Sequence, residues 1–329
     1  MKSMYHICYS SHDEILYRSE EDFDHGYNCQ VTALARTDSQ LLAESQMSDH
    51  SHKVELTDSP KELVRSERTS YNMYFNRKYC RTGPLGENGY FCIELQGYQH
   101  KLAAIIYTIR NAVHHGVVST AFQYPYTSAN CYFRKELGKM CPDQYTLSPE
   151  EIRKALPRGA AFDDGFKMNA SGIFLRDSVT EVKMVESMFA SPAAFLFLIG
   201  RKSGADWERE QMNDDCPQPP ITISSVESAL SQALSPEEWA SFLEKCRKNE
   251  FGRFSPYRIS DLDLCRRIDR YYVPHFGKDS VYLLDDRQKR EITYHLLNDD
   301  KARPSQIRRA LIFKSWDEAP EWFLRMTRR

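Results

Sequence analysis

Apolar residues in the first part of the chain recur with two different spacings, every second residue as in strands and every three to four residues as in helices. Val54 and Leu56 alternate with Lys53 and Glu55, which is the period of a half-buried strand, so a strand is predicted over residues 52–57. The same reasoning predicts three further strands, at 4–10, 41–46 and 90–96.

Helix signals separate these strands. Ser19 precedes three acidic residues and predicts an N-cap, with a helix running to about residue 37. Ser59 and Pro60 predict a second start, and a third helix is expected from about residue 99 to Gly116. The order β-α-β-β-α-β-α predicts an α+β, ferredoxin-like domain over residues 1–140, with an antiparallel sheet and helices on one face.

Residues 141–329 show helical signals and polar loops instead. Helix starts are predicted at Ser148 and Ser235, each followed by Pro and two acids, and a loop is predicted over 204–220. Two helices at 285–297 and 305–313 suggest a helix-turn-helix. Residues 285–329 hold eleven Lys and Arg against eight Asp and Glu, so Arg308 and Arg309 are candidate DNA contacts. A helical packing or dimerisation module fits these residues equally well.

Composition narrows the class of protein. With 41% hydrophobic and 27% charged residues, the chain is typical of globular proteins rather than disordered or fibrous ones. The longest apolar run, 193–200, is too short to span a bilayer, and the first residues lack a signal-peptide core, so we expect a cytoplasmic protein without membrane contact. Nine cysteines without a C-x-x-C pair indicate neither a zinc knuckle nor a disulfide framework. Since the net charge is −2, any nucleic-acid surface must be local.

Two short patterns carry candidate chemistry. His50 and His52 are two residues apart, so on an extended segment both project to one face and can bind one metal ion. Tyr107 and Asn111 are four apart, so on a helix they share a face, and an amide oxygen suits Mg²⁺ or Mn²⁺. Each pattern also fits an ordinary structure: two exposed histidines at a strand start, and a tyrosine at the rim of an amphipathic helix.

The second predicted helix is basic and aromatic. From Lys61 to Arg81 there are six basic residues against two acids, interleaved with aromatic rings, a composition that suits single-stranded DNA. A solvated helix face explains the same charges equally well. The candidate DNA-binding residues of this segment are Arg65, Arg68, Tyr71, Arg77, Lys78 and Arg81.

The ordered set of these motifs resembles a known family. A His-x-His strand, a basic aromatic helix, another strand and then Tyr-x-x-x-Asn are similar to the HUH single-tyrosine transposases, most of all to REP-associated tyrosine transposases and insertion-sequence relatives. Segments 5–23, 71–83 and 107–118 extend the resemblance over about residues 4–120. Departures include Ser51, usually apolar in the family, Ser48-Asp49 in place of Pro-Asn, and Ala112 and His114 in place of Pro and Arg.

The resemblance implies metal-dependent nicking and joining of single-stranded DNA. Tyr107 would be the nucleophile of a covalent 5′-phosphotyrosine, and His50, His52 and Asn111 would hold Mg²⁺ or Mn²⁺. Single-stranded or hairpin DNA is the expected partner, a homodimer is the expected assembly, and the setting would be the nucleoid of a prokaryotic cell. The alternatives are a domesticated DNA-binding protein of the same fold with weak or no catalysis, and a metal-binding protein unrelated to DNA.

Overall fold

Four strands form one antiparallel sheet. A computed structural model of the chain describes residues 2–11, 13–86, 89–139, 145–200, 259–300, 302–313, 316 and 318–327. The strands are β1 Ser3–Ser10, β2 Gln40–Gln46, β3 His50–Thr57 and β4 Phe91–Glu94. They lie in the order β2-β3-β1-β4, so β1 and β3 are central. Because β3 begins at His50 rather than at residue 52, both histidines of the His-x-His motif lie within the strand.

Three helices cover this sheet. They are α1 Glu20–Arg36, α2 Pro60–Lys78 and α3 Tyr98–Ile109. Ser19 is the N-cap of α1 and Pro60 occupies the first turn of α2, as predicted. In the structure Ser19 also forms a capping box with Asp22. The α+β class and the ferredoxin-like order of elements are confirmed.

The helices divide between the two faces of the sheet, so the prediction that they lie on one face is wrong. Met4 and Val54 pack with Ala104 and Ile105 of α3 in one hydrophobic cluster. Tyr9 packs instead with side chains of α1 and α2, which also pack against each other. Alternate residues of β1 and β3 therefore point to α3 on one face and to the α1–α2 pair on the other.

The predicted third helix is broken. α3 ends at Ile109, Arg110 stands between, and a short helix α4 spans Asn111–His114. Gly116 has a φ of 65°, and Val117 N–H donates to the Ala112 carbonyl at 2.9 Å, which closes the helix end as a Schellman motif. The predicted end at Gly116 is right, but the single continuous helix is not.

The remainder of the described chain is mostly helical, as predicted. The helices are α5 Pro149–Ala155, α6 Arg176–Val179, α7 Val182–Glu186, α8 Pro192–Gly200, α9 Asp261–Arg267, a π-helical turn Ile268–Tyr272, α10 Val273–His275, α11 Asp286–Asn298, α12 Pro304–Ala310 and α13 Glu321–Thr327. Ser148 caps α5 through a capping box with Glu151. The predicted helix start at Ser235 and the predicted loop 204–220 lie outside the described residues. No helix in the described part of the chain is long and apolar enough to cross a membrane.

Residues 259–327, which we call the C-terminal module, build a hydrophobic core of their own. Ile15 of the N-terminal part inserts into that core. Arg18, also fully buried, bonds both carboxylate oxygens of Asp269 at 3.0 and 2.8 Å and the Ala310 carbonyl at 2.9 Å. An apolar side chain and a buried bidentate ion pair thus dock the module against the sheet domain.

The two helices of the predicted helix-turn-helix exist as α11 and α12, but α12 is not built as a recognition helix. It has seven residues, and Gln306, Ile307, Arg308 and Ala310 are buried. A recognition helix must offer an exposed face to a DNA groove. α12 packs through these residues, and its role in DNA binding stays a prediction.

Candidate active site

His50 and His52 project from β3 toward the face covered by α3. The strand register pairs His52 with Cys8 and His50 with Ser10 of β1. Ser51, between them, is fully buried beside its partner Tyr9 on the opposite face. The strand alternation expected from the sequence therefore places both imidazoles together and keeps Ser51 away from them.

Asn111 meets His50 directly. The Asn111 side-chain amide donates a hydrogen bond to His50 Nε2 at 2.8 Å, and Asn111 is fully buried. Its carbonyl oxygen, Oδ1, is also buried and has no hydrogen-bond partner among the described residues. An unpartnered buried amide oxygen costs free energy unless a ligand satisfies it.

The other nitrogen of His50 is held by Asp49. His50 Nδ1 lies 2.7 Å from Asp49 Oδ1, and Asp49 Oδ2 forms an ion pair with Arg309. Burial acts to raise the pKa of Asp49, but the charge of Arg309 and then the proximity of His50 outweigh burial and hold that pKa well below the usual range. Asp49 is therefore a carboxylate that accepts the Nδ1–H of His50, which leaves the Nε2 lone pair pointing at Asn111.

His52 contacts β1 instead. Its Nδ1 lies 3.1 Å from His6 Nε2, and its Nε2 lies 3.7 Å from Cys8 Sγ. Burial, reinforced by neighbouring imidazoles, lowers the pKa of His52 well below its usual value, and burial lowers the pKa of His6 to about 4. Both rings are neutral near pH 7, which is the form that can bind a metal ion.

Tyr107 lies next to these rings on α3. Its half-buried ring is edge-on to His52 at a centroid distance of 5.2 Å and to His6 at 6.0 Å. The ring of His50 lies 5.2 Å from that of His52. The structure thus brings the predicted nucleophile and all three predicted ligands to one face of the sheet, although they come from separate elements.

Several residues of this site were not predicted as functional. His115 lies 4.8 Å from His50 between ring centroids, and His114 lies 6.1 Å from Tyr107. Their spacing of three and four after Asn111 is a helical same-face signal that could have pointed to them. His6 could have been found from its alternation with Cys8 on β1. Arg309 was predicted as a DNA contact, and no local signal linked it to Asp49, since the two residues are remote in sequence.

The side chains present limit how an ion could be held. Within the described ranges, no three His, Cys, Asp or Glu side chains are arranged to bind a metal. An ion here would therefore need Asn111 Oδ1 beside His50 and His52, with the remaining positions left to oxygen atoms of a substrate or of water. The unpartnered oxygen of Asn111 fits this donor set, and His50 Nε2 would bind the ion in place of its hydrogen bond from the Asn111 amide.

The predicted DNA-binding residues of α2 and the turn after it are on the other side of the sheet from Tyr107. Tyr71 is buried and donates to the Leu16 carbonyl at 2.6 Å. Lys78 pairs with Asp22 at 2.6 Å, and Arg81 pairs with Glu14 at 2.6 Å. All three side chains have partners within the fold, and their role as DNA contacts stays a prediction.

The remaining predicted cations divide by exposure. Arg65 and Arg77 are exposed, and Arg68 is partly buried with its guanidinium 5.7 Å from the ring centre of Tyr9. Arg308 and Arg309 of α12 point inward, where Arg308 pairs with Asp13 at 2.9 Å. Both arginines of α12 are thus engaged in ion pairs with the sheet domain, contrary to the expected exposed DNA surface.

The chain was compared with protein families, curated proteins and solved structures. No family model matches the chain. No curated protein matches it either. Among solved structures, the chain is similar to a REP-associated tyrosine transposase bound to a REP hairpin, with 10% identity, 50% of this chain and 93% of that chain covered, and a TM-score of 0.36. A likeness at this level carries no argument about function.

Proposed function

We propose that this chain cuts and rejoins single-stranded DNA, with Tyr107 as the nucleophile beside a divalent metal site formed by His50, His52 and Asn111. One observation carries the proposal. The Tyr107 ring lies 5.2 Å from the His52 ring, on the same sheet face where Asn111 contacts His50 at 2.8 Å. A phenol beside neutral imidazoles and an unpartnered amide oxygen suits phosphoryl transfer to tyrosine.

The reaction is a transesterification. The Tyr107 phenolic oxygen bonds to the scissile phosphorus while the bond from phosphorus to the 3′-oxygen breaks. The phenol loses its proton and the departing oxygen gains one, so the products are a 5′-phosphotyrosine and a free 3′-hydroxyl. A bound Mg²⁺ or Mn²⁺ would supply charge stabilisation at the phosphate. Since one phosphodiester replaces another, a 3′-hydroxyl can reverse the step and join strands without a further cofactor.

Single-stranded or hairpin DNA is the proposed substrate. Tyr107 lies half-buried on the side of α3 that meets the sheet. A flexible single strand can enter such a site, whereas a stiff duplex cannot bend into it. A homodimer, in which two tyrosines serve two strand ends, remains part of the proposal. Sedimentation with and without hairpin DNA tests it, and a monomer that still cleaves would remove the requirement for a dimer.

Capture of the covalent adduct tests the chemistry. Incubation with labelled hairpin DNA and Mn²⁺ should give a protein–DNA species that survives a denaturing gel. Tyr107→Phe should abolish that species, because the ring remains but the attacking oxygen is lost. Tyr98→Phe is the matched control, since Tyr98 lies on the same helix and donates to the Met188 carbonyl. Equal adduct formation by Tyr107→Phe would rule out Tyr107 as the nucleophile.

A second function is favoured by one contact. Both nitrogens of His52 face side chains of β1, at 3.1 Å from His6 and 3.7 Å from Cys8, rather than Asn111. If this arrangement persists with DNA, the chain is a DNA-binding protein of the same fold without catalysis. Hairpin binding by the wild type with no adduct in either Mg²⁺ or Mn²⁺ would support this second function.

A further inference from the structure

Arg309 reaches from the C-terminal module into the candidate active site. It lies on α12, yet its guanidinium pairs with Asp49, the residue just before His50, and with Asp261 at 3.3 Å. Its side chain is largely buried, at 14% exposure, and so are both carboxylates, at 16% and 14%. A buried arginine shared by two buried acids holds its position firmly, since losing either contact leaves an unpaired charge.

A second contact from the C-terminal module holds the same turn, residues 48–49, just before β3. The Ser48 hydroxyl donates to Asp261 at 2.7 Å, so the module holds Ser48 and Asp49 at two adjacent points. The Ser48 carbonyl in turn accepts the backbone N–H groups of Leu16 and Tyr17 at 2.8 and 3.0 Å. The turn that leads into His50 is therefore fixed by contacts from outside its own strand.

The chain of contacts continues to the candidate ligand. Asp49 accepts from His50 Nδ1 at 2.7 Å, and His50 Nε2 accepts from Asn111 at 2.8 Å. An acceptor on one imidazole nitrogen fixes the ring orientation and leaves the lone pair on the other nitrogen. Arg309 fixes the acceptor in its turn.

We infer that Arg309 is a positioning residue for His50, acting through Asp49, so that the C-terminal module completes the active site. The metal-binding part of this inference rests on the function proposed above. The segment 1–140 alone would hold Asp49 and His50 without the cation that orients them. Arg309 touches neither substrate nor ion, and its effect is on the orientation and tautomer of the His50 ring.

Two measurements on the full-length chain test this role. The first is Mn²⁺ affinity, measured by calorimetry without DNA, for the wild type and for Arg309→Gln. We expect about a tenfold or greater loss, the range found when a partner of a metal-binding histidine is removed. The second is the His50 tautomer in the metal-free protein, read from nitrogen-15 spectra of labelled histidine. The wild type should show a proton on Nδ1, and Arg309→Gln should lose that uniform state.

Matched variants separate positioning from general docking. Arg308→Gln removes the neighbouring ion pair to Asp13 across the same interface. It should leave the Mn²⁺ affinity within about twofold of the wild type and should leave the His50 tautomer unchanged. Arg309→Lys keeps the charge but cannot span Asp49 and Asp261 with one planar group, so it should fall between the wild type and Arg309→Gln. If Arg309→Gln does not fold, Arg309→Lys carries the test.

The outcomes distinguish this inference from the proposed function. The positioning role would be overturned if Arg309→Gln left both Mn²⁺ affinity and the His50 tautomer unchanged. It would also be overturned if Arg308→Gln changed both as much as Arg309→Gln does. A wild-type protein that binds no Mn²⁺ would instead remove the proposed metal site. In that case the tautomer still decides on Arg309, because it is measured without metal.

Discussion

The two faces of strands β1 and β3 bury polar side chains in opposite ways. Beneath α3, neutral His52 and His6 lie beside Tyr107, and an amide oxygen of Asn111 has no partner among the described residues. Beneath α1 and α2, the buried Lys53 forms an ion pair with Glu67. Neutral imidazoles gather around Tyr107 on one face, whereas Lys53 on the other face is paired with a carboxylate.

This difference separates a structural network from a candidate site. Glu44 on β2 pairs with Arg176 at 2.6 Å on the same side as Lys53 and Glu67, so both of these cations have an anionic partner. Such pairs resist disruption but offer nothing to a ligand. Imidazoles held neutral by burial keep lone pairs that can bind a metal ion. The following variants are expected to affect stability on one face and ligand binding on the other.

The largest effect is expected from Lys53→Met. It leaves Glu67 buried without its cation, which should lower the free energy of unfolding by about 3–5 kcal/mol. Urea denaturation of the metal-free protein measures this. Adding Glu67→Leu to the same chain should recover most of the loss, because the uncompensated charge is then gone. A loss below about 1 kcal/mol would mean that the pair is not a structural centre of this face.

Glu55 makes the stability of that face depend on pH. Burial raises its pKa to about 7, despite the opposing charge of Lys53. The folded protein then holds a proton that the unfolded chain releases near pH 4.5, so stability falls as pH rises from about 4.5 to 7. The loss is up to about 3 kcal/mol.

Glu55→Gln should therefore be more stable than the wild type at pH 8 and equal to it at pH 4, in denaturation curves at both pH values. The amide keeps the oxygen that accepts from Gln30 at 3.3 Å. Glu94→Gln, an exposed carboxyl of the same sheet, is the control and should show no such divergence. Parallel pH profiles for the wild type and Glu55→Gln would contradict the raised pKa.

Metal addition should stabilise the protein through the other face. At Mn²⁺ one hundred times the dissociation constant, the free energy of unfolding should rise by about 2.7 kcal/mol, and chelation should reverse the gain. His50→Ala and Asn111→Ala should lose this gain, because each removes a proposed ligand. Ser51→Ala, between the two histidines but on the opposite face, should keep it. Loss of the gain in Ser51→Ala alone would place the ion elsewhere.

The smallest effect is expected from the exposed cations of α2. The double variant Arg65→Ala with Arg77→Ala should change hairpin affinity by less than about twofold, because α2 lies across the sheet from Tyr107. The slope of affinity against salt should also stay the same. If α2 contacts phosphates, the slope of log affinity against log salt concentration should instead become shallower by about 0.7 to 0.9 for each cation removed.

Local signals in the sequence determined the order of elements and the positions of the motifs. Ser19, Pro60 and Ser148 mark helix starts, and Gly116 marks a helix end, because capping depends on residues within one turn. The alternation along β3 likewise placed His50 and His52 on one face with Ser51 on the other. Helix ends and the faces of a strand depend on residues close in sequence, so distant parts of the chain do not affect these predictions.

Tertiary structure decided which charges are exposed and which groups meet. Lys78 and Arg81 look like a basic surface in the sequence, yet Asp22 and Glu14 neutralise them after folding. Arg309 meets Asp49 because α12 docks against the sheet domain. No sequence pattern relates residues so far apart. Their contact depends on how two hydrophobic cores pack together, and that packing depends on whole surfaces rather than on any local pattern.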